Sequence, residues 1–200
     1  MILPIVRYGH PTLRQKGAPI EAITPEIRQL ITDLLDTMYA AHGIGLAAQQ
    51  VGRPLQVTVL DVRGIEDRPS TLELNQQPAS VDAFMPLVLL NPQVRPVADP
   101  VEGPEGCLSF PEIYAPVSRP AAIEVRALGT DGRPLEFRCG GLLAKAIQHE
   151  VDHLNGILFI DRMSRQAKES LKPELETLVA DTKAALEAER QRRHSEPSPA

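Results

Sequence analysis

Between Thr24 and His42 the apolar residues Ile27, Leu30, Ile31, Leu34, Leu35 and Met38 recur at the three-and-four spacing that lines one face of an α-helix. Thr24 suits the N-cap, Pro25 the first helical position, and Glu26 the positive end of the helix dipole. The stripe predicts a helix packed on a core. It ends before Gly43-Ile44-Gly45, where paired glycines allow backbone angles or close approaches that a side chain forbids.

The pattern then changes. Gln56 to Val62 reads as a strand, and the polar, Pro-containing stretch from Gly64 to about Phe84 reads as a surface loop. Met85–Asn91, Ala121–Ala127 and Leu135–Arg138 are further strands, with Asp131-Gly132 a tight-turn signal between the last two. Gly140-Gly141 introduces a helical run from Leu142 to Leu154, which stops at Asn155-Gly156, a pair suited to a left-handed cap. Ile157–Ile160 reads as one more strand. From Pro173 to about Arg192, Leu175, Leu178, Val179, Ala185 and Leu186 line one side of a charged helix.

These elements predict a single domain: 1–165 as its main body, 166–193 as its C-terminal helical extension, and 194–200 as a disordered tail. With 200 residues and 42% hydrophobic content, one sizeable core is affordable. The first residues carry no apolar run suited to a signal peptide, and no window approaches the roughly 20 apolar residues of a membrane helix. A soluble protein that stays inside the cell is expected. The formal net charge of -5, with both signs interspersed, argues against nucleic acid as the main ligand. Cys107 and Cys139 are too few for a disulfide framework, so each is weighed as ligand, nucleophile or core residue.

His149-Glu150-Val151-Asp152-His153 fits HExxH inside a predicted helix. Residues four apart share a helix face, so both imidazoles can reach one metal ion while Glu150 addresses a water beside it. The plainer alternative is a polar helix with solvated histidines. A catalytic metal needs a third protein ligand and an open position. Downstream the chain offers Asp161, Glu169 and His194; upstream it offers Cys107, whose thiolate would suit a divalent transition metal alongside two imidazoles. Taken alone, such a cysteine is more often a small buried hydrophobe than a ligand.

Gly43-Ile-Gly-Leu-Ala-Ala-Gln-Gln50, Glu105-Gly-Cys-Leu-Ser109 and His149-Glu-Val-Asp-His153 together resemble peptide deformylase, whose motifs GxGLAAxQ, EGCLS and HExDH occur in this order. The likeness extends over roughly residues 3 to 165. It implies an α+β fold in which antiparallel β-sheets surround a central metal-binding helix, with one N-terminal and one C-terminal helix. It also implies hydrolysis of the N-formyl group from the formyl-methionine of nascent polypeptides, with release of formate, in the cytoplasm of a bacterium.

The resemblance places Cys107, His149 and His153 on one divalent metal, natively Fe2+, with Zn2+, Ni2+ or Co2+ able to substitute. Glu150 becomes the general base and acid, and the Gln50 side-chain amide with the Leu108 backbone N–H the oxyanion donors. Gln49 takes the structural role that an arbitrary glutamine would. Ile44, Gly45 and Gly106 face the peptide, and Leu142, Lys145 and Ala146, on the helix face preceding His149, line the methionine pocket. Glu105 and Arg119 form an ion pair behind the cysteine loop. Lys145 departs from the apolar residue usual there; its stem is expected to line the rim with the ammonium in water. Cys139 matches no motif and reads as packing. Arg190, Arg192 and Arg193 read as solvated charges complementing the dipole of the last helix; the resemblance adds, as a second reading, a transient ribosome contact through that helix, with no specific nucleic-acid site and no membrane partner. Two rivals stand beside this reading: another HExxH metal hydrolase such as a zinc endopeptidase, and a catalytically silent module of the same fold.

Overall fold

A computed structural model of the chain describes residues 1–195. The order is α1 (Pro25–Ala40), β1 (Gly45–Ala47), β2 (Val57–Leu60), β3 (Ser70–Leu74), β4 (Gln77–Pro78), α2 (Val81–Phe84) and β5 (Leu87–Pro96). There follow β6 (Pro100–Cys107), β7 (Phe110–Pro120), β8 (Ala122–Leu128), β9 (Pro134–Gly140), α3 (Gly141–Leu154), α4 (Arg165–Ser170) and α5 (Lys172–Ser195). Seven strands form one antiparallel sheet in the order β1-β2-β5-β8-β9-β3-β4, while β6 and β7 make a separate ribbon. The fold is α+β, as the motifs led one to expect.

The apolar stripe of α1 packs Leu30, Leu34 and Met38 on Leu46, Val57, Val59 and Leu90. Thr24 caps the helix, its hydroxyl accepting from Ile27 N at 3.4 Å. On the other side of the sheet, α3 presents Leu142, Leu143, Ile147 and Val151 to Leu60, Leu89, Ile123, Val125 and Phe137. Strand β2 is therefore buried along all four residues, which explains its run Val-Thr-Val-Leu without alternation. A third cluster joins the ribbon to the following segment and α5 through Phe110, Ile113, Val117, Leu158, Phe159, Ile160 and Leu175. Helix α3 thus lies between the large sheet and the ribbon, in contact with strands of both.

Two expectations are corrected and one element was missed. The stretch from Gly64 to Phe84 is not a plain surface loop: Thr71, Leu72 and Glu73 pair with β9, Leu72 is buried, and a short helix follows. Ile157–Ile160 is not a strand. Leu158, Phe159 and Ile160 are all buried, and a 3-10 turn forms over Phe159–Asp161, with the Asp161 carboxylate accepting from Leu158 N at 2.9 Å. A strand would have turned alternate side chains away from this core. The ribbon β6–β7 was not anticipated as a hairpin, although Ile113, Ala115, Val117 and Arg119 alternate inward along it. Its prolines at 100, 104, 111, 116 and 120 mask the pattern, yet a two-stranded edge tolerates them.

Helix α3 ends as its Asn-Gly pair predicts. Gly156 is left-handed at φ 72°, and a Cβ on it would stand 2.5 Å from Arg14 O, so only glycine fits. Helix α5 continues through Ser195, beyond the expected start of the tail at 194, and residues 196–200 of that tail lie outside the described residues.

Candidate active site and metal centre

The three predicted ligands come from two elements. Cys107 ends β6 at a register shift in the ribbon, and His149 and His153 lie one turn apart on α3. Their donor atoms all fall within 4.8 Å of one another, and Cys107 Sγ is 3.2 Å from His153 Nε2. Among the described residues this is the group of His, Cys, Asp and Glu side chains placed to share one ion. Asp161 and Glu169 do not join it. Asp161 is taken by Arg14 and by Leu158 N, and Glu169 lies on the separate short helix α4.

The His149 ring is oriented by a neighbouring charge, while the buried His153 Nδ1 has no hydrogen-bond partner. His149 Nδ1 lies 3.0 Å from Glu105 Oε2. Burial raises the carboxyl's pKa, but His149 and Arg119 outweigh it and bring it down to about 2, so Glu105 accepts and leaves the other ring nitrogen for Cys107. Burial opposes charge on both imidazoles. In His153 it prevails and holds the pKa well below the usual value; in His149 the contacts with Cys107 and Glu105 carry it well above.

Arg119 extends this support. Its Nη2 donates to Glu105 Oε2 at 3.0 Å and its Nη1 to Asp152 Oδ2 at 2.8 Å, all three side chains being buried. Arg162 then reaches Asp152 Oδ1 at 2.8 Å. The expected Glu105–Arg119 pair is therefore part of a four-residue chain, and the roles of Asp152 and Arg162 were missed. Arginine's fork can satisfy two carboxylates at once, which is why an isolated reading of either acid gives no sign of the other.

Glu150 is buried beside the trio, and its Oε2 has no hydrogen-bond partner. Burial pushes its carboxyl up to about 7 despite the opposing charges of His149 and Arg119. A Cβ on Gly45 would stand 2.4 Å from Glu150 Oε1, so this glycine supplies space for the carboxylate; its φ is not in the left-handed region. Gln50 is oriented by Ala47 N, which donates to its Oε1 at 2.9 Å, and its Nε2 turns toward Cys107 Sγ at 3.5 Å. Gln49 is used differently: its Nε2 donates to Leu154 O at 3.2 Å, a structural contact. Cys139 is core, with burial pushing its thiol up to about 12.

Gln50, Cys107, His149 and Glu150 open into one cavity of about 780 Å³. Ile44, Gly45, Gln50, Gly106 and Leu108 line it from one side, and Leu142, Lys145 and Ala146 from α3. The Lys145 ammonium is not left to water alone. Its Nζ donates to Pro104 O at 2.7 Å, and the side chain is only 22% exposed. A second groove of about 600 Å³, lined by Tyr8, α4 and α5, includes Glu169 but none of the site residues that the resemblance implies.

A thiol, two imidazoles and an adjoining unpartnered carboxylate oxygen are a donor set suited to a divalent transition metal with one position open. Comparison with known proteins agrees. A family model described as polypeptide deformylase matches residues 2–169. The chain belongs to the polypeptide deformylase family.

Relatives named peptide deformylase include one from Opitutus terrae, 46% identical over 92% of this chain and 97% of the relative. Another from Methylacidiphilum infernorum is 44% identical, covering 89% and 93%. Among solved structures, the Synechococcus elongatus peptide deformylase in complex with actinonin superposes with a TM-score of 0.71 at 38% identity, covering 90% of this chain and 85% of that one. The Legionella pneumophila peptide deformylase gives 0.74 at 31%, covering 98% and 100%. The chain is thus an enzyme, a deformylase of the metal-dependent hydrolase class that removes the N-formyl group from nascent peptides. No helix among the described residues is long and apolar enough to cross a membrane.

Proposed function

We propose that Cys107, His149 and His153 hold one divalent ion, ferrous iron in the cell with zinc, nickel or cobalt as substitutes, and that Glu150, Gln50 and Leu108 carry out formyl-methionyl peptide hydrolysis beside it. The observation that carries this reading is the convergence of the three donor atoms within 4.8 Å next to the unpartnered Oε2 of Glu150. When bound, such an ion supplies Lewis acidity, lowering the pKa of water and polarising the formyl carbonyl.

The remaining work falls to the chain. Glu150 takes the proton of the attacking water onto its buried carboxylate and returns it to the departing amine, which a pKa near neutrality suits. Gln50 Nε2, held by the Ala47 contact, donates to the oxygen that becomes negative, with Leu108 N–H as second donor. Ile44, Leu142, Lys145 and Ala146 enclose the methionine side chain, while Gly45 and Gly106 leave room for the extended peptide. Glu105 and Arg119 hold the His149 ring and the cysteine strand in place. Formate and a free amino terminus are the products.

We treat 1–165 as the catalytic unit, with 166–193 its helical extension. We propose the bacterial cytoplasm, where formylated nascent chains are made, as the enzyme's location. The basic end of α5, including Arg190, Arg192 and Arg193, is proposed to touch the ribosome transiently; unaltered co-sedimentation after Arg192→Glu and Arg193→Glu would discard that contact. The central test is formate release from formyl-Met-Ala-Ser by anaerobically purified protein, with metal measured on the same sample. Cys107→Ser should lose both metal and activity; retention of both would remove the cysteine from the centre.

A further inference from the structure

Lys145 stands on α3 four residues before His149, on the face that lines the cavity. A lysine on an apolar wall ordinarily runs its stem along the surface and leaves its head in water. Here the ammonium bends inward to strand β6, donating to Pro104 O at 2.7 Å and lying 4.0 Å from Glu105 Oε1. Gly103, the preceding residue of the strand, makes room for it: a Cβ there would stand 3.1 Å from the nitrogen. Burial lowers the lysine's pKa, with Glu105 opposing and Arg119 and Arg68 adding to the fall.

Residues Gly103 to Gly106 form one cavity wall. Strand β6 pairs only with β7, and the ribbon is absent from the seven-stranded sheet. Few ties therefore hold this wall against α3. Arg119 connects the ribbon to Asp152 of α3 at 2.8 Å and Gln148 of α3 donates to Pro120 O at 3.0 Å, but both ribbon residues lie on β7. The cysteine end is tied through Glu105 and His149, and Lys145 fixes the strand one residue earlier.

We infer that Lys145 is a positioning residue that latches the Gly103–Gly106 wall onto α3, so that an extended peptide meets an ordered strand edge. The inference rests on the deformylation reading for its substrate and on the lysine–carbonyl contact for its mechanism. A charge-assisted hydrogen bond to a carbonyl orders backbone that otherwise pays for its ordering when substrate binds. Loss of the latch should therefore appear as weaker peptide capture, with the chemistry itself little changed.

The experiment compares Lys145→Met, which keeps the stem and removes the donor, with Lys145→Arg, which restores a donor. Formate release from formyl-Met-Ala-Ser gives KM and kcat separately, and amide hydrogen exchange over residues 100–107 is followed on the same metal-loaded samples. Lys145→Met is expected to raise KM about tenfold with kcat within about threefold. Exchange in β6 should quicken, metal content should stay at the wild-type level, and Lys145→Arg should recover both KM and protection. Unchanged exchange in Lys145→Met overturns the latch whatever the kinetics. Faster exchange with unchanged KM overturns its part in peptide capture, as does a KM rise that only accompanies metal loss. A wild-type protein that releases no formate while Lys145→Met exchanges faster would instead overturn the deformylation reading and leave the latch standing.

Discussion

Glu150 occupies the space that a side chain on Gly45 would need: the nearest approach of a Cβ there to the carboxylate oxygen is 2.4 Å. The oxygen cannot swing elsewhere without cost, because the carboxyl is buried between α3 and β1. Gly45→Ala should therefore displace the proposed base while leaving the ligands in place. We expect kcat to fall about 100-fold, the range for a misplaced general base, with metal content unaltered. Equal activity in Gly45→Ala would mean that Glu150 does not work from this position.

The two adjacent glutamines should separate cleanly. Gln50→Ala removes a donor aimed at the cavity and is expected to cost about 2.7 to 4 kcal/mol of transition-state stabilisation, read from kcat. Gln49→Ala breaks the bond to Leu154 O and should lower stability by about 1 kcal/mol in urea unfolding with little change in kcat. If both substitutions lower kcat alike, the assignment of roles is wrong.

Arg119 balances two buried carboxylates. Arg119→Leu leaves Glu105 and Asp152 with one partner fewer each, and a loss of about 3–5 kcal/mol is expected. Pairing it with Glu105→Leu should be less damaging than the two single losses added together, since opposite charges leave as one. Chemical denaturation of the four proteins measures the coupling. Additive losses would show that the contact contributes nothing specific.

Asp161 supplies a pH-dependent tie between the segment after α3 and Arg14. Burial would raise its pKa, but the Arg14 contact and Leu158 N outweigh it, so the folded value lies below the usual one. A depressed carboxyl stabilises above its unfolded pKa of about 3.9, and the contribution fades as pH falls through the folded value. Because Arg14 is 45% exposed, the pair is worth no more than about 1 kcal/mol. Asp161→Asn should be less stable than wild type at pH 7 and nearly equal to it at about pH 2. A stability gap that persists in acid would assign the effect to the turn geometry instead.

Much of this arrangement was legible along the chain, for reasons that differ by element. Helix α1 declared itself because one face is buried and the other wet, and α3 because Gly140-Gly141 and Asn155-Gly156 bound it. Cys107, His149 and His153 were legible through three motifs in one order; helical spacing explains the histidines but says nothing of a sulfur 42 residues earlier, since 149 − 107 = 42. The ribbon escaped notice because its prolines suppress the ordinary strand signal, and the stretch 64–84 because its strands are short. The inward turn of Lys145 and the Asp152–Arg162 contact depend on a strand and a turn that meet only in three dimensions. No local pattern encodes such meetings.

The division of the donors between ribbon and helix also sets an order of events during synthesis. The chain acquires the Cys107 sulfur 42 residues before the first α3 imidazole, and the cluster that packs against Cys107 is completed only by residues as late as Leu175. No growing chain that stops short of His153 holds the complete set of donors. The catalyst that trims newborn chains is itself inert through most of its own birth.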